Sequence, residues 1–454
     1  MNMNEQDVKV LQFGEGNFLR CFIDWMIQRM NDRAGFNGRV QIVQPIGEEL
    51  TAPSKCLNAS GGRYHTCLRG VKDGKPVEEL EEIRIVNGVL SALGEWPAVE
   101  TLVRTTPSLR FVVSNTTEAG IEYKKGEDTF PRKVAHLLKA RHEAGLGGLV
   151  FLPCELIEHN GDNLKRCVLN YVVDWGESGL AEWIETECVF CSTLVDRIVA
   201  GRPDEESAER YAARLGLRDD VLVCGEPFHF FVIEIPASAT ANGFDLESEF
   251  PLQRAGINAV YTADMTPYRT RKVRFLNGAH TATALAGHLD GFTFVDQLVA
   301  DPSYNALFRK ILFDEIFPTV PLPDAEKRAY AESVLERFAN PFAHHRLLSI
   351  SLNSVSKWKV RILPTVLDYT RIFGHCPAGL SRSMAALIAF YRSGAGNDSP
   401  QILAYFKENP ETGEILRNKV FWDMDLTEIP GFEAEVNDEL AKRYALPSFP
   451  GLRA

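Results

Sequence analysis

A lysine, an asparagine and a histidine lie close together in the stretch RKVRFLNGAHTATALAGHL, at Lys272, Asn277 and His280. The neighbouring residues are mostly apolar or small, which is typical of a helix that packs into a core. With about 100° per residue, an α-helix places Asn277 and His280 about 60° apart and Lys272 about 80° from His280. The spacing therefore predicts that the three side chains share one broad helix face.

Such a face suits the reduction of a ketone or the reverse oxidation of an alcohol. Negative charge grows on the carbonyl oxygen when a hydride arrives, so a positioned donor must stabilise it and transfer a proton. A lysine can do this near neutral pH because partial burial disfavours its charged form. The alternative interpretation is structural: a solvated helix start, with His280 as a core residue.

A glycine turn near the N-terminus is a second candidate site. The segment GEGNFLR, residues 14–20, follows the apolar run VKVLQF and precedes a helix pattern. Glycines in this context let backbone amides approach a pyrophosphate at a helix N-terminus. The pattern is only G-x-G, with Leu19 where the full fingerprint has a third glycine. We expect dinucleotide binding by residues of this turn, namely Gly14, Gly16, Asn17, Phe18 and Arg20.

The expected dinucleotide is NAD. After the apolar run VQIV the chain carries Glu48 and Glu49, and no basic cluster for a 2′-phosphate stands there. Other residues at the ends of predicted strands are expected to line the same crevice. These are Gln44, Asn115, Thr116 and Glu118.

The elements that must position these residues divide the chain into two parts. Strands are predicted at residues 8–13, 40–43, 83–86, 109–114 and 149–152. Their alternation with helix patterns favours a parallel sheet covered on both faces. From about Tyr268 onward, amphipathic helical segments follow one another. We predict an α/β fold, with an N-terminal Rossmann-type dinucleotide-binding domain (1–265) followed by a mostly α-helical C-terminal domain (266–454).

Composition excludes several classes of protein. The chain has 454 residues, more than one ordinary core, and a net charge of −12, so nucleic-acid and anionic-membrane partners are not expected. We find no signal sequence and no run of the ~18 apolar residues that a membrane helix requires. Nine cysteines without framework spacing predict a cytoplasmic location. The one C-x-x-C, Cys188 and Cys191, is interpreted as two buried thiols, with a metal or redox pair as the alternative.

The motifs together resemble a known family. Lys-x4-Asn-x2-His at the start of a helical domain, after a G-x-G-N-F-x-R turn, is similar to the polyol-specific long-chain dehydrogenases, the mannitol dehydrogenase family. Further similar stretches span nearly the whole chain: QFGEGNFLRCFIDW, FVVSNTTEAGI, PCELIEHNGD, CSTLVDRIV, KVRFLNGAHTA, RFANPF, LLSISLN and ALIAFYR. The resemblance implies an NAD-dependent oxidoreductase without a metal that acts on a small molecule. We expect a monomer or small homo-oligomer.

The resemblance also implies roles for individual residues. Lys272 would be the general acid/base, and Asn277 and His280 would position the substrate. Asp196 and Arg197 in LVDRI match a family element beside the site, with Asp196 as a further catalytic candidate. A salt-bridged helix end is the alternative for this pair.

Two departures from mannitol-type members affect the expected substrate. Those members have Asp-Asn where this chain has Glu155-Leu156, so either Asn160 replaces the missing oxyanion-stabilising amide or Asn277 and Lys272 hold the oxygen alone. An arginine that those members carry near Ser349 is also absent.

The resemblance implies an enzyme that interconverts D-tagaturonate and D-altronate in hexuronate catabolism, and the departures favour a sibling of mannitol dehydrogenase over mannitol dehydrogenase itself. A keto-uronate or aldonate needs a cation for its carboxylate. Lys357, Arg361 and His345 are the candidates for this cation, and Arg197 is a further expected substrate contact. A solvated surface lysine is the alternative for Lys357. The nearest alternatives are oxidation of mannonate to fructuronate or of mannitol to fructose. A dinucleotide-binding sensor without turnover is the alternative from another class.

Overall fold

The computed structural model describes residues 7–72, 74–117 and 119–444, and the chain forms two compact units. The first unit comprises residues 1–69 and 77–265, and the second comprises residues 70–76 and 266–454. The long C-terminal part of the second unit therefore begins at Thr266. Our sequence prediction did not anticipate that residues 70–76 belong to the second unit.

The structure describes thirteen strands, and most of their residues belong to the first unit. They are β1 (Asp7–Phe13), β2 (Gly38–Gln44), β3 (Tyr64–Lys72), β4 (Lys75–Ile83), β5 (Val86–Ser91), β6 (Phe111–Ser114), β7 (Val150–Pro153), β8 (Val189–Phe190), β9 (Ser192–Asp196), β10 (Val199–Gly201), β11 (Val223–Gly225), β12 (Phe230–Glu234) and β13 (Ala259–Thr262).

The largest sheet has six strands in the order β5-β2-β1-β6-β7-β8. Each neighbouring pair in it is parallel. The direction of winding reverses between β1 and β6, and ligands of open α/β sheets bind at the carboxyl ends of the strands at such a point. The predicted Rossmann-type fold is confirmed. Two smaller sheets, β10-β11-β3-β4 and β13-β12-β9, were not predicted.

The first unit also contains ten α-helices among the described residues. They are α1 (Asn17–Leu19), α2 (Trp25–Ala34), α3 (Ala52–Ala59), α4 (Trp96–Thr105), α5 (Phe130–Glu143), α6 (Asn160–Asp174), α7 (Ser178–Glu187), α8 (Glu205–Leu215), α9 (Ala237–Ala241) and α10 (Leu246–Glu249). A π-helical segment, Arg20–Asp24, joins α1 to α2. Along β1, Val10 packs into one apolar core while Leu11 and Phe13 pack into another. This division follows because successive side chains of a strand point to opposite faces of the sheet.

One predicted strand is wrong. The apolar run at residues 83–86 was read as a single strand, but Ile83 ends β4 and Val86 begins β5, and these strands belong to different sheets. The run is apolar because Ile83, Ile85 and Val86 are all fully buried where the chain passes between sheets. At the break, the Arg84 amide donates to Gln28 Oε1 (2.9 Å) instead of to a strand. The other four predicted strands correspond to β1, β2, β6 and β7.

The second unit is mostly helical, as predicted. Its helices are α11 (Thr266–Arg271), α12 (Ala279–Leu289), α13 (Val295–Ala300), α14 (Pro302–Arg309), α15 (Asp324–Phe338), α16 (Leu347–Ile350), α17 (Ser354–Arg361), α18 (Leu363–Phe373), α19 (Ala378–Arg392), α20 (Pro400–Glu408), α21 (Thr412–Leu416), α22 (Lys419–Trp422) and α23 (Phe432–Arg443). Short 3₁₀ turns occupy Phe317–Thr319 and Leu426–Glu428.

Two further π-helical segments lie in this unit. Lys272–Gly278 joins α11 to α12, and Lys310–Ile316 follows α14. The helix α12 is buried along most of its length, which agrees with its apolar sequence. Within the described part of the chain, no helix combines the length and apolar character that crossing a membrane would require.

The C-x-x-C cysteines lie at the sixth strand of the large sheet. Cys188 is 6% exposed and Cys191 is 0% exposed, and both are free thiols. Burial raises the pKa of each to about 12. The interpretation as two buried thiols is confirmed, because thiols of this kind are protonated and unreactive at neutral pH.

Candidate active site

The glycine turn follows β1 and lies where the carboxyl ends of β1, β2 and β6 meet. The Gly14 amide donates to the Val43 carbonyl (3.0 Å), and the Asn115 amide donates to the Phe13 carbonyl (3.0 Å). Gly14 has φ of 121°, and a Cβ there would stand 3.1 Å from the Asn115 carbonyl oxygen. Only glycine adopts this conformation without strain, so the tight turn depends on Gly14.

Gly16 leaves the start of the next helix open. It is the N-cap residue of α1, and a Cβ built on it would meet nothing within 4 Å. Glycine has no side chain that could accept hydrogen bonds from the first backbone amides of the helix. The N-cap residue therefore leaves the amides from Asn17 onward without a side-chain acceptor. Such a helix start attracts anions through these amides and the helix dipole. The turn and its Rossmann-type sheet fit the binding of NAD through its pyrophosphate.

Arg20 supports the turn from inside the protein. Its side chain is 2% exposed. Its Nε donates to the Glu15 carbonyl (3.0 Å) and its Nη2 to Asn17 Oδ1 (2.7 Å). The guanidinium also donates to the Val221 carbonyl and lies 5.3 Å from the Tyr64 ring centroid. Arg20 therefore positions the turn.

Phe18 and Gln44, both expected to contact the cofactor, face the protein itself. Phe18 stacks on Phe22 with ring centroids 5.1 Å apart. Gln44 is 0% exposed, and its amide nitrogen donates to the carbonyls of Ile46 (2.8 Å) and Glu49 (3.0 Å). Its Oε1 accepts from the Thr51 amide (2.8 Å). Gln44 thus shapes the loop after β2.

The loop after β6 is fixed by a buried carboxylate. Glu155 is 3% exposed, and its Oε1 accepts from both the amide (2.9 Å) and the hydroxyl (3.0 Å) of Thr116. Its Oε2 accepts from Ser114 Oγ (3.1 Å). Asn115, half-buried, donates to the carbonyl just after β7 (2.9 Å). Burial raises the pKa of Glu155. Glu118 lies outside the described residues.

Asn160 does not stand free to hold a substrate oxygen. It is 0% exposed at the start of α6. Its amide nitrogen lies within hydrogen-bond distance of the carbonyls of Pro153 (2.9 Å), Glu155 (3.0 Å) and Thr193 (3.2 Å), and its Oδ1 accepts from the Thr193 amide (2.8 Å). Asn160 therefore ties the end of β7 to β9. Of the two sequence alternatives, the structure favours oxygen binding without Asn160.

Arg197 is also used inside the first unit. It is 6% exposed and donates to the carbonyls of Cys21 (2.6 Å) and Phe228 (3.1 Å), with its guanidinium 4.1 Å from the Trp25 ring centroid. Burial lowers its pKa to about 10. Asp196, 2% exposed, is the last residue of β9. The alternative of a salt-bridged helix end is wrong for this pair, because Asp196 ends a strand and Arg197 bonds to backbone carbonyls.

Lys272 and Asn277 lie on a π-helix in the second unit, not on an α-helix. The segment Lys272–Gly278 forms backbone bonds five residues apart, so Lys272 and Asn277 stand about one turn from each other. An α-helix would separate them by about 140°. Both side chains are half-buried. π-Helical turns occur frequently at functional sites, and this one brings the amide and the ammonium stem to one side of the helix.

His280 is held by aromatic neighbours. Its ring stacks on Phe338 with centroids 3.9 Å apart and planes 15° apart, and it meets His345 edge to face at 5.1 Å. Burial lowers the pKa of His280 well below its ordinary value, and His345, Arg337 and Arg361 lower it further. The imidazole is therefore neutral at pH 7, and it can orient a hydroxyl as donor or acceptor without carrying charge.

Basic side chains surround His280. Arg361 Nη1 donates to Thr281 Oγ1 (3.3 Å), next to His280 in sequence. Burial lowers the pKa of Lys357, and Arg361 lowers it further, while burial and then Lys357 lower the pKa of His345. Lys357 is half-buried and donates to the Ile350 carbonyl (2.8 Å), which disfavours the alternative of a solvated surface lysine. We call His280, His345, Lys357 and Arg361 the basic cluster.

A close helix contact sets the position of Arg361. A Cβ on Gly278 would lie 3.2 Å from the Arg361 carbonyl oxygen, so the missing side chain lets α17 approach the π-helix. Sequence reasoning had noted Arg361 but not this contact. It also missed Phe338 and Arg337 as neighbours of His280, although both lie in the quoted stretch RFANPF.

Comparison with known proteins places the chain in a family. Residues 8–245 match the mannitol dehydrogenase Rossmann domain, and residues 264–444 match the mannitol dehydrogenase C-terminal domain. The chain belongs to the mannitol dehydrogenase family. The resemblance read from the sequence is confirmed, and this family member is a polyol or sugar-acid dehydrogenase, an oxidoreductase acting on CH–OH groups.

Relatives named altronate oxidoreductase align with nearly the whole chain. That of Bacillus subtilis (strain 168) is 41% identical over 444 residues, covering 93% of this chain and 90% of the relative. That of Shigella flexneri is 37% identical over 463 residues, covering 95% and 93%.

Solved structures share the fold. A substrate-free D-sorbitol dehydrogenase matches with a TM-score of 0.81 at 22% identity, covering 97% of this chain and 94% of its own. Pseudomonas fluorescens mannitol 2-dehydrogenase, in a ternary complex with NAD and D-mannitol, matches with a TM-score of 0.70 at 19% identity, covering 97% and 92%.

Proposed function

We propose that this family member is an NAD-dependent tagaturonate reductase, or altronate oxidoreductase, that interconverts D-tagaturonate and D-altronate in hexuronate catabolism. The observation that carries the proposal is the 41% identity, over 93% of this chain, to a relative with that name. The basic cluster supports it independently, because an acidic sugar needs cationic partners and the chain as a whole is anionic, with a net charge of −12.

The Rossmann-type domain, predicted at residues 1–265, is proposed to bind NAD. The open helix start at Gly16 and the turn held by Arg20 support this role. Asn17 and the loop at Asn115 and Thr116 are its further proposed contacts, and Glu118 stays a prediction. The mannitol 2-dehydrogenase with the same fold was solved with NAD. When bound, NADH supplies the hydride for ketone reduction.

The helical domain at residues 266–454 is proposed to carry out proton transfer. Lys272 donates a proton to the substrate oxygen during reduction and accepts it during oxidation. Asn277, about one π-helical turn away, donates a hydrogen bond to the same oxygen. Neutral His280, fixed by its stack on Phe338, orients a substrate hydroxyl. Asp196 remains an untested catalytic candidate on the first unit.

Lys357 and Arg361 are proposed to hold the substrate carboxylate, with His345 beside them. Arg361 lowers the pKa of Lys357, so the two cations lie close enough to repel each other. A bound anion would be stabilised by both charges and would offset this repulsion. Arg197 and Asn160, predicted to bind substrate, have their side chains committed to other bonds and are not part of this proposal.

An assay with three substrates tests the proposed function. The full chain is incubated with NADH and, separately, D-tagaturonate, D-fructuronate or D-fructose, and NADH consumption is followed. We expect the highest kcat/KM with D-tagaturonate. Preference for fructuronate would reassign the enzyme to mannonate oxidation, and preference for neutral fructose would contradict the carboxylate role of the basic cluster. NADH binding without turnover of any of the three would favour a sensor.

All nine cysteines are free thiols, which supports a cytoplasmic location. That location, and a monomer or small homo-oligomer as the working form, stay predictions.

A further inference from the structure

A buried carboxyl group lies directly beneath the glycine turn. Asp24, in the π-helical segment that follows the turn, is 0% exposed. Its neighbours are Gln12 from β1, Tyr64 from β3 and Arg20 from its own helix. All three side chains are buried, with at most 2% of their surface exposed. None of these residues was assigned a role around Asp24 by the sequence, and the proposed hydride and proton transfer does not use Asp24.

The hydroxyl of Tyr64 faces more acceptors than it can serve. Its oxygen lies 2.8 Å from the Arg20 carbonyl oxygen and 2.9 Å from Asp24 Oδ2. A phenol has one hydrogen to donate, so an ionised Asp24 would leave one of these two acceptors without it. A protonated Oδ2 resolves the conflict, because it donates to the Tyr64 oxygen while Tyr64 donates to Arg20.

The Gln12 side chain presents a second conflict. Its Nε2 donates to the Gly14 carbonyl (3.2 Å). Within the described residues, Gln12 Oε1 and Asp24 Oδ1 are both buried and both lack a hydrogen-bond partner. If the oxygen and nitrogen of the Gln12 amide exchanged places, Oε1 would face the Gly14 carbonyl oxygen. Both atoms are acceptors, so the hydrogen bond between Gln12 and Gly14 would be lost. A proton on Asp24 Oδ1 would instead bond to Gln12 Oε1 and satisfy both orphaned atoms.

Either position of the proton makes Asp24 neutral, and the electrostatic surroundings agree. Burial raises the pKa of Asp24 to about 7, against opposing effects from Tyr64, Arg20 and Gln12. The other titratable neighbour of this group is Cys21, whose own pKa burial raises to about 11, so it carries no charge near neutral pH. The guanidinium of Arg20 is committed to Glu15 and Asn17 in the turn.

We propose that Asp24 is a positioning residue that holds the glycine turn in its binding conformation as a neutral carboxylic acid. Its partners reach the turn from two sides, Gln12 through the Gly14 carbonyl and Tyr64 through the carbonyl of Arg20. Ionisation of Asp24 places a buried negative charge among these groups, where Arg20 is already bonded to the turn, and displaces them, so cofactor binding weakens as pH rises. This second step rests on the proposed binding of NAD at the turn.

The protonation state is tested without cofactor, by urea unfolding of the wild type and Asp24→Asn at several pH values. The amide of asparagine keeps a donor and an acceptor, as a neutral acid does. Because the folded pKa is raised, wild-type stability falls relative to Asp24→Asn from about pH 4 up to about pH 7, by up to about 10-fold in the folding equilibrium constant per pH unit. Parallel stability curves would overturn the proposal.

The coupling to the turn is tested by NADH titration of the full-length wild type, Asp24→Asn and Asp24→Ala. We expect the wild-type Kd to rise about 10-fold or more between about pH 6.5 and about pH 8.5, since the apparent Kd scales inversely with the fraction of the competent form. Asp24→Asn should show a nearly constant Kd, and Asp24→Ala a weak and constant one.

The two failures are distinguishable. A pH dependence shared by wild type and Asp24→Asn would overturn the coupling and leave the proposed function intact. Absence of NADH binding at every pH would overturn the proposed function together with the coupling. If Asp24→Ala does not fold, the comparison of wild type with Asp24→Asn decides alone.

Discussion

At the residue scale, the proposed proton transfer requires a side chain of the helical unit that can exchange a proton at neutral pH. His280 is neutral because it is buried between Phe338 and His345 and faces cations. Arg361 keeps its proton in any protein environment. Lys272, half-buried on the π-helix beside Asn277, is the proposed acid/base, while Lys357 and Arg361 of the basic cluster are proposed to hold the substrate carboxylate.

Replacing Lys272 with alanine should lower kcat by ~10²–10⁴-fold, the usual contribution of a general acid/base. The Kd of NADH should change little, since the turn at Gly14 lies on the first unit. Steady-state kinetics with D-tagaturonate and NADH fluorescence titration measure the two effects. The matched control is Lys310→Ala, because Lys310 also begins a π-helical segment of the same unit but is exposed. Unchanged kcat in Lys272→Ala would remove the assignment.

Replacing Lys357 with methionine removes the ammonium and keeps an unbranched stem. The KM for D-tagaturonate should rise by about 10-fold or more, since a hydrogen bond to a charged group contributes about 1.5–3 kcal/mol. The response to neutral fructose should not change. Lys359→Met is the control, because Lys359 lies on the same helix and pairs with Asp423 at 3.0 Å on the surface. Equal effects on both substrates would show that Lys357 does not bind the carboxylate.

At the element scale, the glycine turn and the π-helix achieve what regular elements cannot. Gly14 has a φ that other residues adopt only with strain, and a Cβ built on it would lie 3.1 Å from the Asn115 carbonyl oxygen in the loop after β6. The π-helix changes the register so that residues five apart share a side. In both elements a local departure from regular geometry brings polar groups together.

Gly14→Ala should weaken NADH binding and lower the free energy of unfolding by ~1–3 kcal/mol, because of strained backbone and the contact with Asn115. Titration with NADH and urea unfolding measure these effects. Gly145→Ala is the control, since Gly145 also has positive φ (68°) but has open space around its Cβ position. The control should lose stability without losing affinity. If Gly14→Ala binds NADH normally, the turn does not bind the cofactor.

At the scale of the whole molecule, buried neutral groups make stability depend on pH. His229 is fixed in one neutral form: its Nδ1 faces the Pro227 carbonyl (3.2 Å), and its Nε2 accepts from the Asn258 amide (3.0 Å). Burial lowers the pKa of His229 to about 3, and Arg197 lowers it further. Protonation of Nε2 would break the bond to Asn258.

Stability should therefore fall on acidification. The folded pKa of His229 lies below its unfolded value, so its contribution is present above about pH 6.5 and is lost progressively toward pH 3, by roughly 1.4 kcal/mol per pH unit. Urea unfolding at about pH 7.5 and about pH 5 measures the loss. His229→Gln, which retains an acceptor, should lose less than wild type. The exposed His375→Gln should behave like wild type, and equal losses in all three proteins would contradict the role of His229.

Prediction from sequence worked best where the signal was local. The strand before GEGNFLR and the helices after Tyr268 have periodicities that depend on a few neighbouring residues, and the structure contains them. It failed at residues 83–86, because an apolar run shows burial but not which sheet buries it. It also assigned Asn160 to substrate, since an asparagine in a loop motif looks the same whether its amide faces a ligand or the Thr193 backbone.

The amino-acid sequence by itself determined the Rossmann-type and helical fold and the family, and it supplied Lys272, Asn277 and His280 as the proposed site residues. Their types and spacing carry that information directly. Only the tertiary structure decided the π-helical register of Lys272 and Asn277, the stack of His280 on Phe338 and the burial of Asp24 under the glycine turn. The stack and the burial come from contacts between residues distant in sequence, and such packing sets both geometry and protonation state.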